Sequence, residues 1–197
     1  MRKSFKFNSK EFSFTLILPI IMSILYIFFQ DYKEQLALNR NNFSFWQIYT
    51  KDFINYDFQH YFSNTVIILL CLTILFLLLQ QIKREELARY YLLRVVLITP
   101  WITLIAYWYS IKMGSNAGYF LGSSGIAFSL IGLIIFLLCF LKEIPLRRRI
   151  TGIVLLLFLL WMAFANNKTN VNIFAHIGGT LIGFVIGRLT YYRLKNK

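Results

Sequence analysis

Four polar residues in this chain could together catalyse acyl transfer: Ser124, His176, His60 and Asn64. A serine hydroxyl becomes a good nucleophile when a base accepts its proton, and a neutral imidazole suits that task. Attack on a peptide carbonyl creates an oxyanion, which an amide, a second imidazole and backbone N–H groups could stabilise. These residue types suggest a hydrolase that uses neither a metal nor a cofactor.

Each of these residues also has an ordinary explanation when it is taken alone. A histidine in a membrane helix is often an interhelical hydrogen-bond partner, and a serine beside a glycine is more often a packing contact. An asparagine four residues after a histidine merely shares its helix face. The choice between the catalytic and the ordinary interpretation therefore depends on where the helices place these residues.

The composition indicates a membrane protein. Of 197 residues, 58% are hydrophobic and 15% are charged, whereas a soluble domain has about a quarter charged residues. The net charge is +13, and the basic residues lie between the apolar blocks, where they would meet anionic headgroups. Nucleic acid is therefore not the expected partner. Cys71 and Cys139 lie within apolar blocks, without metal-ligand spacing.

Six apolar segments are long enough to be considered as membrane-spanning helices, and together they predict one all-α membrane domain over residues 1–197. They cover residues 12–30, 60–80, 91–111, 119–141, 150–165 and 172–190. A basic start precedes the first segment, but no small-residue cleavage site follows it. The first segment is therefore predicted to stay in place as a span.

The distribution of basic residues predicts the orientation. Sixteen of the 21 lysines and arginines fall at the N-terminus, the second and fourth loops and the C-terminal end. The positive-inside rule then places both termini in the cytoplasm. The short loops suggest a prokaryotic cytoplasmic (inner) membrane.

The first loop, residues 31–59, is rich in aromatic residues. Its rings belong to Phe43, Phe45, Trp46, Tyr49, Phe53, Tyr56 and Phe58. Such a segment is expected to lie in the headgroup region. An aromatic belt that only anchors the spans would have the same composition.

The predicted topology brings the four polar residues to one level. Spans two, four and six all enter from the outer face; His60 and Asn64 lie in the first turn or so of span two. Ser124 is about five residues into span four, and His176 about four into span six. At 1.5 Å per residue, all lie within about 8 Å of the same surface. No acidic residue lies at this depth, so a Ser–His dyad is predicted rather than a triad.

Small residues indicate how two of these helices could meet. The sixth segment carries Gly179, Gly183 and Gly187, four residues apart, and the fourth carries Gly125, Ser129 and Gly132. Helices that meet through such stripes approach closely in lipid, so His176 is predicted to reach Ser124. An ordinary packing stripe would show the same pattern.

These residues resemble the motifs of the rhomboid family of intramembrane serine proteases. Gly122-Ser123-Ser124-Gly125 is similar to the family's Gly-x-Ser-Gly motif. Ala175-His176 with Gly179 and Gly183 resembles Ala-His-x-x-Gly-x-x-x-Gly, and His60 with Asn64 resembles His-x-x-x-Asn. The order of the motifs and the count of six segments agree as well.

The resemblance implies a six-transmembrane-helix rhomboid-like bundle with Ser124 as nucleophile and His176 as general base. His60, Asn64 and the Ser124 backbone N–H would form the oxyanion site, and Phe128 would stack on the catalytic histidine. The substrates would be single-span membrane proteins, cleaved near the outer face. Two positions depart from the family: Gln47 follows Trp46 where arginine is common, and Asn55 stands where a further histidine is common.

Two other functions are compatible with parts of the sequence. A rhomboid-like protein could bind membrane clients without cleaving them, but inactive relatives typically lack the serine or the histidine. A small transporter or channel would be expected to carry intramembrane carboxylates or broken, repeated helices, which the sequence does not show. Neither the substrate's identity nor the oligomeric state follows from the sequence.

Overall fold

The computed structural model describes residues 9–114, 118–141, 144–165 and 173–195. The helices are α1 (Ser9–Thr15), α2 (Ile17–Phe29), α3 (Lys33–Leu36), α4 (Gln47–Thr50), α5 (Phe58–Gln81), α6 (Leu87–Lys112), α7 (Ser124–Phe140), α8 (Leu146–Ala165) and α9 (Ile173–Lys195). Two short strands, β1 (Leu38–Asn39) and β2 (Tyr119–Phe120), pair in antiparallel fashion. Several basic residues behind the predicted orientation lie outside the described residues: Arg2, Lys3, Lys6, Lys142, Lys168 and Lys197.

Four helical segments are long and apolar enough to cross a membrane: Lys10–Leu36, Phe58–Gln81, Leu87–Lys112 and Ile173–Tyr192. Two further apolar stretches are shorter, Ser124–Phe140 and Arg149–Phe158. At 1.5 Å per residue a 17-residue helix is about 25 Å long, slightly less than the hydrocarbon thickness of about 30 Å. The count of six spans and the side of the termini therefore stay predictions.

Large apolar side chains cover the outer faces of the long helices. Examples that are about half exposed or more are Ile24, Leu70, Leu97, Ile105 and Leu181. A soluble protein rarely exposes apolar surface so extensively, whereas a helix in lipid has no reason to hide it. The outer surface is therefore that of an integral membrane protein.

Helix α7 lies at the centre of the bundle. Every residue from Gly125 to Ile134 is buried, as expected for a helix that is apolar on all sides. Its most extensive interface is with α9, and it also contacts α5, α6 and α8. The residue that begins α7, Ser124, is thus presented by the best-packed helix of the fold.

Glycines bring the backbones of α7 and α9 into direct contact. A Cβ atom added to Gly179 would lie 2.7 Å from the carbonyl oxygen of Gly125, and one added to Gly183 would overlap the Ser129 carbonyl. No side chain fits between the helices at these two positions. The close approach expected from the small residues is therefore present between α7 and α9.

The first loop docks on the segment that precedes α7. Within it, β1 pairs with β2 in the register Leu38 to Phe120 and Asn39 to Tyr119. Gln47 is buried, and its amide donates to the carbonyl of Gln35 at 3.0 Å. This loop is thus folded onto the helices rather than being a simple connection.

One boundary of the predicted segments was wrong. The apolar pattern assigned residues 119–123 to the fourth span, but they form β2 and a turn, and α7 begins at Ser124. Gly122 has a φ of +130°, which a right-handed helix cannot accommodate. Ser124 is therefore the first residue of its helix, not about five residues into it.

Candidate active site

Ser124 stands where an extended segment turns into α7. The turn depends on Gly122, whose positive φ is costly for any residue with a Cβ, and whose N–H donates to the Lys51 carbonyl at 2.8 Å. Ser123 is fully buried, whereas Ser124 is partly accessible. Of the two adjacent serines, Ser124 is therefore the one that a substrate could reach.

His176 lies on α9, one turn after the helix begins, and is 4% exposed. Its imidazole stacks on the Phe128 ring, with centroids 4.0 Å apart and planes 14° from parallel. Phe128 is one helical turn after Ser124 on α7. The stack holds the imidazole in one plane at the Ser124 end of the α7–α9 interface.

The glycine contact places the same two helices in register. Gly179, three residues after His176, packs against the carbonyl oxygen of Gly125, the residue after Ser124. Two contacts therefore lie next to the serine and the histidine. One is the stack of His176 on Phe128, and the other is the backbone contact between Gly179 and Gly125. We infer that both side chains face the same small volume at the N-terminal end of α7.

His60 approaches from α5 on the other side of the turn. Asp57 caps α5 by accepting the His60 backbone N–H at 2.8 Å. The Tyr56 N–H donates to His60 Nδ1 at 3.4 Å, and the two rings stack with centroids 5.5 Å apart. Because Nδ1 accepts a hydrogen bond, the neutral imidazole carries its hydrogen on Nε2 and can donate from there.

Asn64 is held by a residue that sequence reasoning did not assign to the site. Its amide nitrogen donates to Asn55 Oδ1 at 2.9 Å, and the Ser123 hydroxyl donates to the same oxygen at 3.3 Å. All three side chains are buried. Asn55 thus ties α5 to the residue beside Ser124 and leaves the second N–H of Asn64 for another acceptor.

The only signal for Asn55 in the sequence was its departure from the family pattern. An amide can accept two hydrogen bonds at one oxygen, as Asn55 does here, without carrying charge into a buried site. The departure therefore replaces a titratable side chain by a neutral one. Asn55 and Tyr56 are adjacent in sequence. They hydrogen-bond to Asn64 and His60, the two side chains predicted from the sequence to form the oxyanion site.

The described residues contain no group of three or more His, Cys, Asp or Glu side chains that could hold a metal ion. The site instead combines a partly accessible serine, a buried imidazole and two further polar side chains, on α7, α9 and α5. Six residues were predicted from the sequence to support the catalytic side chains: Gly122, Ser123, Gly125, Phe128, Gly179 and Gly183. All of them lie in the turn before α7 or in the α7–α9 interface.

If His176 is the predicted general base, replacing Phe128 by leucine should lower kcat by about 3- to 10-fold, because an aromatic pair contributes about 0.5–1.5 kcal/mol beyond its buried area. Leucine fills much of the same space but offers no ring for His176 to stack on. Cleavage rates of purified wild type and Phe128→Leu in the same lipid give the comparison. Phe136→Leu, a ring change farther along α7, is the control, and an equal loss in both variants would contradict a specific role for the stack.

If the predicted Ser124–His176 dyad is catalytic, Gly122→Ala should lower kcat by about 100-fold, the effect of moving a catalytic group by roughly 1 Å. The added Cβ would lie 2.5 Å from Cε1 of His60, at a φ of +130°. Gly118→Ala is the matched control, because a Cβ there meets nothing within 4 Å. Equal activity of the two variants would show that the turn does not position the site.

Comparison with protein-family models gives a match between residues 42–193 and the model described as the rhomboid domain. This match spans the first loop, α5 to α9 and every residue of the candidate site. Comparison with curated proteins found no match.

Proposed function

Because the chain belongs to the rhomboid family, whose activity is in general intramembrane proteolysis, we propose that it is a serine endopeptidase acting through a Ser124–His176 dyad. The observation that carries this proposal is the joint placement of the two residues. His176 stacks on Phe128, one turn after Ser124, and the adjoining helix backbones touch at Gly179 and Gly125.

In the proposed mechanism, His176 accepts the proton of Ser124 while Oγ attacks the scissile carbonyl carbon. The negative charge passes to the carbonyl oxygen, where Nε2–H of His60, the free N–H of Asn64 and the Ser124 backbone N–H donate to it. His176 then protonates the leaving amine as the C–N bond breaks. Water, deprotonated by the same imidazole, hydrolyses the acyl-enzyme and regenerates Ser124.

The proposed substrates are transmembrane proteins in the same membrane. A peptide bond within a helix has its carbonyl in the helical hydrogen-bond ladder, so small or helix-destabilising residues make it easier to reach. With both termini in the cytoplasm, the site opens toward the outer face, where α5, α7 and α9 have their first residues. Membrane lipids surround the protein during the reaction.

The test is cleavage of a single-span substrate by purified protein in lipid vesicles. One substrate carries small, helix-destabilising residues at the outer end of its span, and a matched one carries leucines there. We expect cleavage of the first substrate at its outer end, located by mass spectrometry. A fluorophosphonate, which reacts with activated serines, should block this cleavage and modify Ser124 in the peptide map.

Two results would count against the proposal. Binding of several substrates with neither cleavage nor fluorophosphonate labelling would favour a non-catalytic, client-binding protein of the same family. Modification of a serine other than Ser124, with loss of activity, would assign the nucleophile elsewhere. Ser13→Ala, which changes an exposed serine of α1, controls for the loss of any serine.

A further inference from the structure

A buried ion pair lies in the first loop, beside the segment that carries Ser124. Lys51 Nζ is 2.8 Å from Asp52 Oδ1, and both side chains are completely buried. The hydroxyl of Thr103 on α6 accepts a hydrogen bond from Lys51 and lies 3.3 Å from Asp52 Oδ2. Two charges and a hydroxyl thus form a closed cluster that joins the first loop to α6.

This cluster contacts the nucleophile segment on both sides of Ser124. Before Ser124, the Lys51 carbonyl accepts the Gly122 N–H at 2.8 Å, and the Lys51 ammonium lies 5.5 Å from the centre of the Phe120 ring. After Ser124, the Thr103 methyl packs directly on Gly125, where no Cβ could be inserted. The chain on either side of the nucleophile therefore rests on the same cluster.

Stability does not explain why two charges should be buried here. Removing charges from water is costly, and well-packed apolar residues in place of a buried ion pair often leave stability equal or higher. Burial lowers the pKa of Lys51 and raises the pKa of Asp52, and each charge opposes the other's shift. The pair instead fixes the relative orientation of the two side chains, because a charged hydrogen bond tolerates little change in geometry.

We propose that Lys51 and Asp52 are positioning residues that lock the first loop against the Gly122–Gly125 turn and so fix Ser124 relative to His60. This inference rests on the proposed function for its kinetic consequences. The lock itself is a structural property, which can be measured without any cleavage. Neither residue touches the substrate in this proposal, and both act through the turn.

The charge surroundings of the pair are simple among the described residues. The charged group facing Lys51 is Asp52, and the charged group facing Asp52 is Lys51. The other groups packed against the cluster are Thr103 from α6 and the Phe120 ring from β2, and Tyr107 stacks on that ring. Removing one member of the pair therefore leaves the other with the Thr103 hydroxyl as a hydrogen-bond partner but without an opposite charge.

The two single variants should have opposite pH dependences. Without Lys51 the pKa of Asp52 rises further, so in Lys51→Met the carboxyl is neutral at low pH and becomes a buried, unpaired anion as pH increases. Its kcat relative to wild type should then fall with rising pH. Without Asp52 the pKa of Lys51 falls further, so Asp52→Asn buries an unpaired ammonium at low pH, and its relative kcat should fall with decreasing pH.

The kinetic experiment measures kcat and KM of purified protein in lipid between about pH 6 and 9, per active site titrated with fluorophosphonate. Each single variant should lose about 10- to 100-fold in kcat at its unfavourable pH, with KM little changed. The double variant Lys51→Met/Asp52→Leu should recover most of that loss and show the wild-type pH profile. A general loss of folded protein would lower the titrated fraction rather than kcat.

A matched pair of threonine variants tests the link to α6. Thr103→Val keeps the methyl contact with Gly125 and removes the hydroxyl that joins the cluster. Thr99→Val removes an equally buried hydroxyl one turn earlier, which donates to Ser129 at 2.8 Å and does not touch the pair. We expect a pH-dependent fall in kcat for Thr103→Val, and no change of pH profile for Thr99→Val.

Amide hydrogen exchange at Gly122 tests the lock independently of catalysis, because this N–H donates to the Lys51 carbonyl. In each single variant its exchange should accelerate by at least about tenfold at the unfavourable pH, and in the double variant it should return toward the wild-type rate. Accelerated exchange without any cleavage by wild type would mean that the lock exists and the proposed protease function fails. Unchanged exchange and parallel pH profiles in both single variants, or a double variant that only adds the two losses, would overturn the proposal.

Discussion

Ser124→Ala is expected to abolish cleavage, with a loss in kcat on the order of 10⁴-fold or more. The alanine retains the helix start and the Gly122 turn but has no oxygen to attack the carbonyl. Because the Ser124 backbone N–H and the other proposed oxyanion donors remain, substrate binding should be nearly unchanged. The measurement is the rate of cleavage of a single-span substrate in lipid, together with the substrate's affinity for the variant.

His176→Ala should reduce kcat to a similar level, and the double variant should be no slower than either single one. In the proposed mechanism the two residues act in one step, so once the nucleophile or its base is absent there is nothing further to lose from the partner. Independent contributions would instead multiply. Non-additivity is therefore a sharper test of a dyad than either single loss.

Two outcomes would contradict the dyad. Cleavage that survives Ser124→Ala at the wild-type rate would require another nucleophile or a contaminating protease. A double variant that is slower than both single variants by the product of their losses would mean that His176 does not act on Ser124. Phe128→Leu distinguishes orientation from chemistry, since it should lower kcat by a small factor and leave the fluorophosphonate reaction at Ser124 intact.

The parts of the site that could be predicted from sequence are those that depend on local pattern. Glycines four residues apart predict a close helix contact in lipid, and the structure has one between Gly179 on α9 and Gly125 on α7. The family resemblance implied a ring at Phe128 beside His176, and the rings stack. The match to the rhomboid domain supports the family itself. The catalytic roles of these residues stay predictions.

The parts that could not be predicted depend on contacts between distant segments. Residues 119–123 are apolar enough to extend a span, yet β2 pairs with β1, about 80 residues earlier in the chain, and the φ of Gly122 prevents a helix there. No local pattern encodes such pairing. The helix boundary at Ser124 follows from this contact and not from hydropathy.

Charge counting was similarly limited, because it treats every lysine as a solvated one. Lys51 is one of the five basic residues that lie outside the sixteen used to predict the orientation, but it is buried against Asp52. Its neighbour in sequence gave a hint, since an adjacent opposite charge can compensate burial. The role of Asn55 was equally hidden, because its partners Asn64 and Ser123 come from two other elements.

Gly179→Leu is expected to lower kcat by about 100-fold or more while the protein remains folded in the membrane. A single Cβ at this position would lie 2.7 Å from the carbonyl oxygen of Gly125, a backbone atom that cannot rotate away. A leucine must therefore push α9 from α7 by an ångström or more, at a cost of about 1–3 kcal/mol in overpacking. That displacement moves His176 away from Ser124, and a shift of about 1 Å is enough to lose roughly 100-fold in rate.

A graded series separates this effect from a general loss of stability. Gly179→Ala should lose about tenfold in kcat, less than the leucine variant, because the helices need to part only slightly. Gly152→Ala on α8 is the control, since a Cβ there would lie 2.7 Å from a terminal methyl of Leu138, a side-chain atom, and not from a backbone atom. Cleavage and membrane extraction are measured for all three variants. Full activity in Gly179→Leu would show that the approach of α7 and α9 does not bring the base to the nucleophile, and the dyad would then need another explanation.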